Sequence, residues 1–432
     1  MAKPKLALIP AAQGTRLYSV LPSDGTGDFD FTRGSTTNPD ATRVNAQGLI
    51  ESVPNTSSRL NYPLIDGKVV GCPHHLLEPQ RTNLLPYSED FSQWTASDLT
   101  VTDNNAISPD GTLNASKLTA ISGNNTKRIQ EAGFSTTSTD RCFSIFVKTD
   151  DIKAIQLLHS GDLQGFARFD LVDYTVGSVG SKTTATIENY GNGWYKCTAI
   201  FDSTNAFGSS LYVYISDSAI GIYGGTSSEV GDLLIYGAQY EESSYPTSYI
   251  KSNIGSPTTR LADTASGSGN AATFNDSEGV LMAEISALDN DSTSRQISLS
   301  SGSSATNKVS LNYTSTSNQV QAFIRSGGSI AFNVSEIVSD TTNNNKIALK
   351  YKQNDFALWV NGIELATNTI DGNTPTGLNV LDFDDADGTS NFYGKAKQVQ
   401  YFDSALTDTQ LEELTSWDSF SDMANGQLYT IE

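Results

Sequence analysis

Apolar residues recur at alternate positions in short runs along this chain. Phe143, Ile145 and Val147 share one face of a strand expected over Cys142 to Lys148, and Leu211, Val213 and Ile215 oppose Tyr212 and Tyr214 over Leu211 to Ile215. The run Trp194 to Phe201 follows the turn cluster Gly191-Asn192-Gly193, and its Tyr195, Cys197, Ala199 and Phe201 face one way. Further strands are predicted over Val280 to Ser286, Lys308 to Tyr313, Gln319 to Ile324, Ser329 to Val334 and Lys346 to Lys352. Asn361-Gly362, the preferred dipeptide of a tight hairpin, closes a strand in which Phe356, Leu358 and Val360 alternate. One short helix is expected near the end: Thr407 and Gln410 have capping-box spacing, and Leu411 and Leu414 give it a small apolar face.

The stretch from Phe29 to Trp94 breaks this pattern. Polar turn residues dominate it, and Pro39, Pro54, Pro63, Pro73, Pro79 and Pro86 exclude any long helix or central strand. It reads as an extended leader with no core of its own, running across a surface supplied by something else. A second polar stretch rich in Ser, Gly and Thr, residues 251–274, reads as a linker.

The expected architecture is all-β: two antiparallel jelly-roll β-sandwiches in tandem behind an extended N-terminal anchoring segment. The boundaries are 1–82 for the anchoring leader, 83–250 for the first sandwich, 251–274 for the linker, 275–420 for the second sandwich and 421–432 for a tail.

Three sets of motifs carry a resemblance. In the leader these are Asp30-Phe31-Thr32-Arg33, the Asn45 to Glu51 segment with Gly48-Leu49-Ile50-Glu51, and Leu76 to Leu85 (LLEPQRTNLL) followed by Ser88 to Trp94 (SEDFSQW). They resemble the leaders of bacteriophage virion proteins of the tail-fibre and head-fibre type. The strand Asn192 to Cys197 (NGWYKC) and the ending Gly237-Ala238-Gln239 with Ser244 to Ile250 (SYPTSYI) are similar to the carbohydrate-binding-module-like jelly roll found behind that leader. Tyr401 to Leu414 (YFDSALTDTQLEEL) resembles the close of a laminin-G or concanavalin-A-like domain. The resemblance implies a non-enzymatic structural subunit of a virion assembled in the host cytoplasm. Other virion proteins would be its partners through the leader, a homo-oligomer (a trimer by preference) its assembly, and host-surface glycan its contact. A free carbohydrate-binding or glycan-cleaving protein is the alternative.

Composition narrows these readings. The chain has 432 residues, more than one ordinary core holds. Aromatic residues at 9% and apolar residues at strand spacing exclude disorder. The net charge of −21 argues against a nucleic-acid partner, which needs clustered Lys and Arg. Residues 1–81 hold eight basic and seven acidic residues, leaving 19 basic and 41 acidic for the remainder, so the acidity belongs to the body. No run approaches the ~20 apolar residues of a membrane helix, and the first residues, interrupted by Pro10, Gln13, Gly14 and Arg16, do not read as a secretory signal. Cys72, Cys142 and Cys197 are far apart and odd in number, so no disulfide framework is implied, and the latter two are expected as buried thiols.

Candidate chemistry is sparse. His74, His75 and His159 are the only histidines. The adjacent pair points to opposite sides of an extended segment and, with Cys72, falls short of a four-ligand zinc set. Hydrolysis of a glycoside needs paired carboxylates, and Val280 to Ser286 offers only Glu284, while Glu412 and Glu413 fall on a solvated helix face. Trp194 and Trp359 lie in strands where core packing is expected rather than a glycan platform. The acidic turn Asp382, Asp384, Asp385 and Asp387 is the candidate metal site, with calcium the expected ion, since clustered carboxylates supply hard oxygens. It departs from the EF-hand pattern, with Tyr393 at the twelfth position.

Overall fold

The computed structural model describes residues 3–9, 19–34, 41–135, 139–149, 151–303, 305–370 and 372–417. The expected tail, 421–432, lies outside the described residues. Every strand ladder is antiparallel, and two β-sandwiches account for the body.

In the first sandwich one sheet runs in the order Thr95–Ser97, Arg128–Ala132, Ser210–Ser216, Ala154–His159, Phe166–Asp170, Thr175–Val179. The facing sheet runs Leu99–Ile107, Leu113–Ala120, Gly231–Glu242, Arg141–Lys148, Trp194–Phe201, Thr183–Gly191. Alternation decides which side chains lie between them: Phe143, Ile145, Val147, Cys197, Ala199, Phe201, Leu211, Val213 and Ile215 all enter one core. Gly191, Asn192 and Gly193 all take positive φ, as the turn before Trp194 requires.

The second sandwich packs a five-stranded sheet, Ser329–Ile337, Gln319–Ser326, Lys308–Tyr313, Arg295–Ser300, Val380–Asp382, against a larger one. Asn361 and Gly362 form the expected primed turn, both at positive φ, between Phe356–Val360 and Ile363–Asn368. The helix Asp408–Thr415 carries the expected capping box, with Leu411 and Leu414 buried against Trp359.

The leader differs from its expectation. Instead of lying on an external surface, it is woven into the body. Leu6–Leu8 pairs with Gly394–Phe402 as a strand of the larger sheet, and His74–Leu77 pairs with the other end of the same strand. Leu6, Leu8, Phe29, Phe31 and Leu77 are buried in the core of the second sandwich. Ile50 covers Phe146, Trp194 and Tyr236 on the outer face of the first. The proline-separated pieces are too short to make a sheet alone, but each is long enough to add one short strand to a sheet that exists. The stretch expected as a linker is paired too: Thr258–Arg260 with Arg81–Asn83, and Thr264–Ser266 with Asp30–Thr32. Neither stretch shows period-2 apolar runs because each contributes single residues to cores built elsewhere.

Candidate functional site

Where leader, first sandwich and former linker meet, five ionised side chains are buried together. Arg59 Nη1 donates to Glu78 Oε2 at 2.6 Å and its Nη2 to Asp263; Arg33 Nη1 donates to Asp263 Oδ1 at 2.9 Å; Arg260 Nη1 donates to Glu78 Oε2 at 2.6 Å. Arg33 also donates to the carbonyls of Val53 and Ser57, and the Glu78 amide donates to Asp263 Oδ2 at 2.7 Å. Burial raises the Glu78 carboxyl, but Arg260 and Arg59 outweigh it and hold the group well below the usual carboxylate range. Burial lowers the Arg33 guanidinium, with Asp263 opposing.

The motifs that carry the family resemblance converge here. Ser248 of SYPTSYI donates through its amide and hydroxyl to Glu78 at 2.8 and 2.6 Å. Tyr249 Oη donates to Glu89 of SEDFSQW at 2.9 Å. Asn83 Nδ2 donates to the carbonyls of Ala238 and Ile250, and Gln239 Oε1 accepts from the Ile250 amide. Arg81 lies 5.5 Å from the Tyr245 ring centroid. These residues weld the leader to the sandwich.

Beside this joint opens a cleft of about 310 Å³. The leader supplies Thr42, Arg43, Ile50, Asn61 and Leu76; Tyr245 to Tyr249 form another wall; Leu288 and Lys395 enter from the second sandwich. The first sandwich supplies Phe146, Lys196 and Glu188, which lie in one row across three paired strands. Tyr190, next on the Glu188 face, has its hydroxyl pushed up by burial. The sequence reading passed over this site. Its signal was Lys196, the lone charge in the run Trp194 to Phe201, but the cleft itself is made by segments far apart in the chain.

In the acidic turn, Asp384 and Asp385 bond within the loop itself, while Asp382 reaches the former linker. Asp382 Oδ1 accepts from the Gly267 amide at 2.7 Å, Asp384 Oδ1 from the Ala386 amide at 2.6 Å, and Asp385 Oδ2 from the Thr389 hydroxyl at 2.6 Å. The Asp387 amide donates to Asp385 Oδ1. Burial, with Asp384 nearby, pushes the Asp382 carboxyl up to about 6, while the Gly267 amide opposes the shift. Among the described residues no three or more His, Cys, Asp or Glu side chains gather as a metal ion would need.

All three histidines are buried. His75 Nδ1 is 2.7 Å from Ser58 Oγ, His74 is 3.3 Å from Asn61 Nδ2 on the other side, and His159 Nε2 is 2.6 Å from Tyr240 Oη. Burial depresses His75 to about 3 and His159 to about 4. Cys142 and Cys197 are buried free thiols, as expected, and Cys72 is exposed. Trp194 and Trp359 are buried in cores, and Glu284 accepts from Gln398 Nε2 at 2.8 Å.

No protein-family model and no curated protein matches this chain. Among solved structures it is similar to the CBM40 of a Ruminococcus gnavus IT-sialidase bound to α2,3-sialyllactose, at 18% identity over 34% of this chain and 92% of that one, with a TM-score of 0.30. A heptameric SAP-like pentraxin from Limulus polyphemus is similar at 13% identity over 33% and 71%, TM-score 0.26. Sheep galectin-11 in complex with glycerol is similar at 12% over 30% and 86%, TM-score 0.20. At these identities and scores none of them places a ligand or a residue on this chain, and the fold rests on the ladders above.

Proposed function

We propose that this protein is a non-catalytic structural subunit of a bacteriophage particle whose two-sandwich body contacts host-surface glycan. One observation carries the reading. The residues by which the chain resembles phage virion proteins, Arg33 of the DFTR opening, Glu78 and Arg81 of LLEPQRTNLL, Glu89 of SEDFSQW and Ser248 and Tyr249 of SYPTSYI, meet in space as one buried joint. A resemblance from composition alone would scatter such residues. The burial of every histidine in structural hydrogen bonds supports the non-catalytic part. Because the motif side chains are turned inward, attachment to the particle falls to other surfaces of the body. Oligomerisation, with a trimer expected, belongs to the same reading.

Peptide mass spectrometry of particles purified from a lysate of the producing host, with antibody labelling of intact particles, tests the proposal. The protein is expected at a fixed stoichiometry to the major particle proteins. Recovery only in the free, particle-depleted fraction overturns it.

A further inference from the structure

We propose that the cleft between the leader and the two sandwiches binds an acidic sugar, with Lys196 and Lys395 holding its anionic group. This deepens the glycan half of the proposed function and rests on it.

The first argument is a buried cation without a hydrogen-bonded acceptor. Lys196 is only 7% exposed and makes no hydrogen bond or ion pair with another described residue. Glu188, directly across the ladder, lies beyond ion-pair distance. The other buried lysines and arginines among the described residues all have an acceptor. Lys127 Nζ donates to the carbonyls of Gly123 and Glu229, Arg168 to that of Ser218, Lys308 to Gln296, and Arg141, Arg295 and Lys350 pair with Glu242, Asp291 and Asp355. The remaining three, Arg33, Arg59 and Arg260, belong to the joint described above. Burial opposes the Lys196 ammonium, but Tyr190 and Glu188 outweigh that and raise it, so Lys196 stays charged at the cleft wall with no hydrogen-bond acceptor among the described residues.

The second argument is convergence. Lys395, half-buried and likewise without an acceptor among the described residues, lines the same cleft from the other sandwich, next to Leu76 in the ladder. Burial and Lys397 lower its ammonium, a cost that an incoming anion would relieve. Arg43 is already paired with Glu51, and Glu78 with Arg59 and Arg260. Two lysines against Glu188 therefore leave one positive charge unbalanced.

The ligand class follows from size and lining. About 310 Å³ is the lower end for small-molecule sites and suits one sugar ring. Phe146, Leu76, Tyr190 and Pro246 offer apolar contact to the C–H face of a ring, and the unpartnered Glu188 carboxylate can accept from sugar hydroxyls. A polyanion is disfavoured by the net charge of −21, so the cleft takes a single acidic residue. Carboxylate and phosphate share the required chemistry.

Titration calorimetry of the full chain with galacturonic acid, N-acetylneuraminic acid, glucose 6-phosphate and neutral galactose tests this, and the acidic arms tell carboxylate from phosphate. An acidic sugar is expected to bind at least about tenfold more tightly than galactose, and Lys196→Met and Lys395→Met each to weaken it by about ten- to a hundredfold, the loss of one charged hydrogen bond. Lys395→Met, at a half-buried position, keeps the test available if Lys196→Met does not fold. Equal binding of acidic and neutral sugars, or Lys395→Met binding as wild type, overturns the inference. Retention of acidic glycans on an array by both variants as strongly as by wild type overturns it while leaving the glycan reading intact, whereas no retention of any glycan by wild type overturns both.

Discussion

Arg59 and Glu78 meet at 2.6 Å with both side chains buried, and each holds a further opposite charge, Asp263 on one side and Arg260 on the other. Through this pair the leader, the first sandwich and the segment before the second sandwich share one electrostatic unit. Desolvation penalises all of its members, so the unit is stable only when complete.

Glu78→Gln removes one of two carboxylates facing three arginines. The variant is expected to lose about 3–5 kcal/mol, the cost of leaving buried charge uncompensated, measured as a lowered urea midpoint at unchanged slope. A loss below about 1 kcal/mol would mean that water reaches the joint.

Acid should destabilise the protein in two stages. His159 and His75 sit at about 4 and about 3 when folded, against an ordinary 6.5. They stay neutral in the fold but take up protons on unfolding, so stability falls as pH drops below 6.5, by up to ~1.4 kcal/mol per unit for each. The Glu78 carboxyl, depressed below its ordinary 4.5, contributes fully above that value and is lost as pH falls further. Asp382, raised to about 6 in the fold, works the other way below pH 6 and offsets about one histidine's share, so urea midpoints at pH 8, 6, 5 and 4 should be flat at first and then decline. His159→Gln should remove one histidine's share of the decline above pH 5.

Much of the sandwich architecture was legible because its strands carry their own signal. Phe143, Ile145 and Val147 announce a buried face by alternation, and Asn361-Gly362 announces its turn by the positive φ both residues tolerate. The leader was not legible because its signal is divided. Leu6 and Leu8 complete a core most of whose members lie beyond residue 280, and Arg33 finds its carboxylate 230 residues away. The cleft was hidden for the same reason, since Lys196 and Lys395 meet only once both sandwiches are built. Of the acidic turn, composition revealed the carboxylates but not that backbone amides already occupy those of Asp382, Asp384 and Asp385.

Calcium should leave the protein's stability unchanged. Asp382, Asp384 and Asp385 each accept from a neighbouring amide or hydroxyl, and an ion would have to displace those bonds before taking their oxygens. Tm with 5 mM EDTA and with a millimolar excess of calcium is therefore expected to agree to within about 1 °C, since a ligand at 100 times its Kd would add about 2.7 kcal/mol. A rise of several degrees, abolished in Asp384→Asn, would instead show that the turn rearranges around an ion.

Removing residues 1–82 separates the two pictures of the leader most sharply. An anchoring arm lying on another molecule could be cut away to leave two folded, soluble sandwiches. In this fold the cut deletes Leu6–Leu8 and His74–Leu77 from the larger sheet, exposing the edge of Gly394–Phe402. It also strips Phe29, Phe31 and Leu77 from the second core and Ile50 from the face of Phe146 and Trp194. Arg260 loses Glu78, and Asp263 loses both Arg33 and Arg59, leaving buried charges of either sign without their partners. Each of these losses alone costs about as much as a typical domain can spare. The truncated chain is expected in the insoluble fraction, or as a soluble aggregate without a cooperative thermal transition. A monodisperse truncated protein with a Tm within a few degrees of the full chain would show that the leader's burial contributes little and return it to the role of a detachable arm.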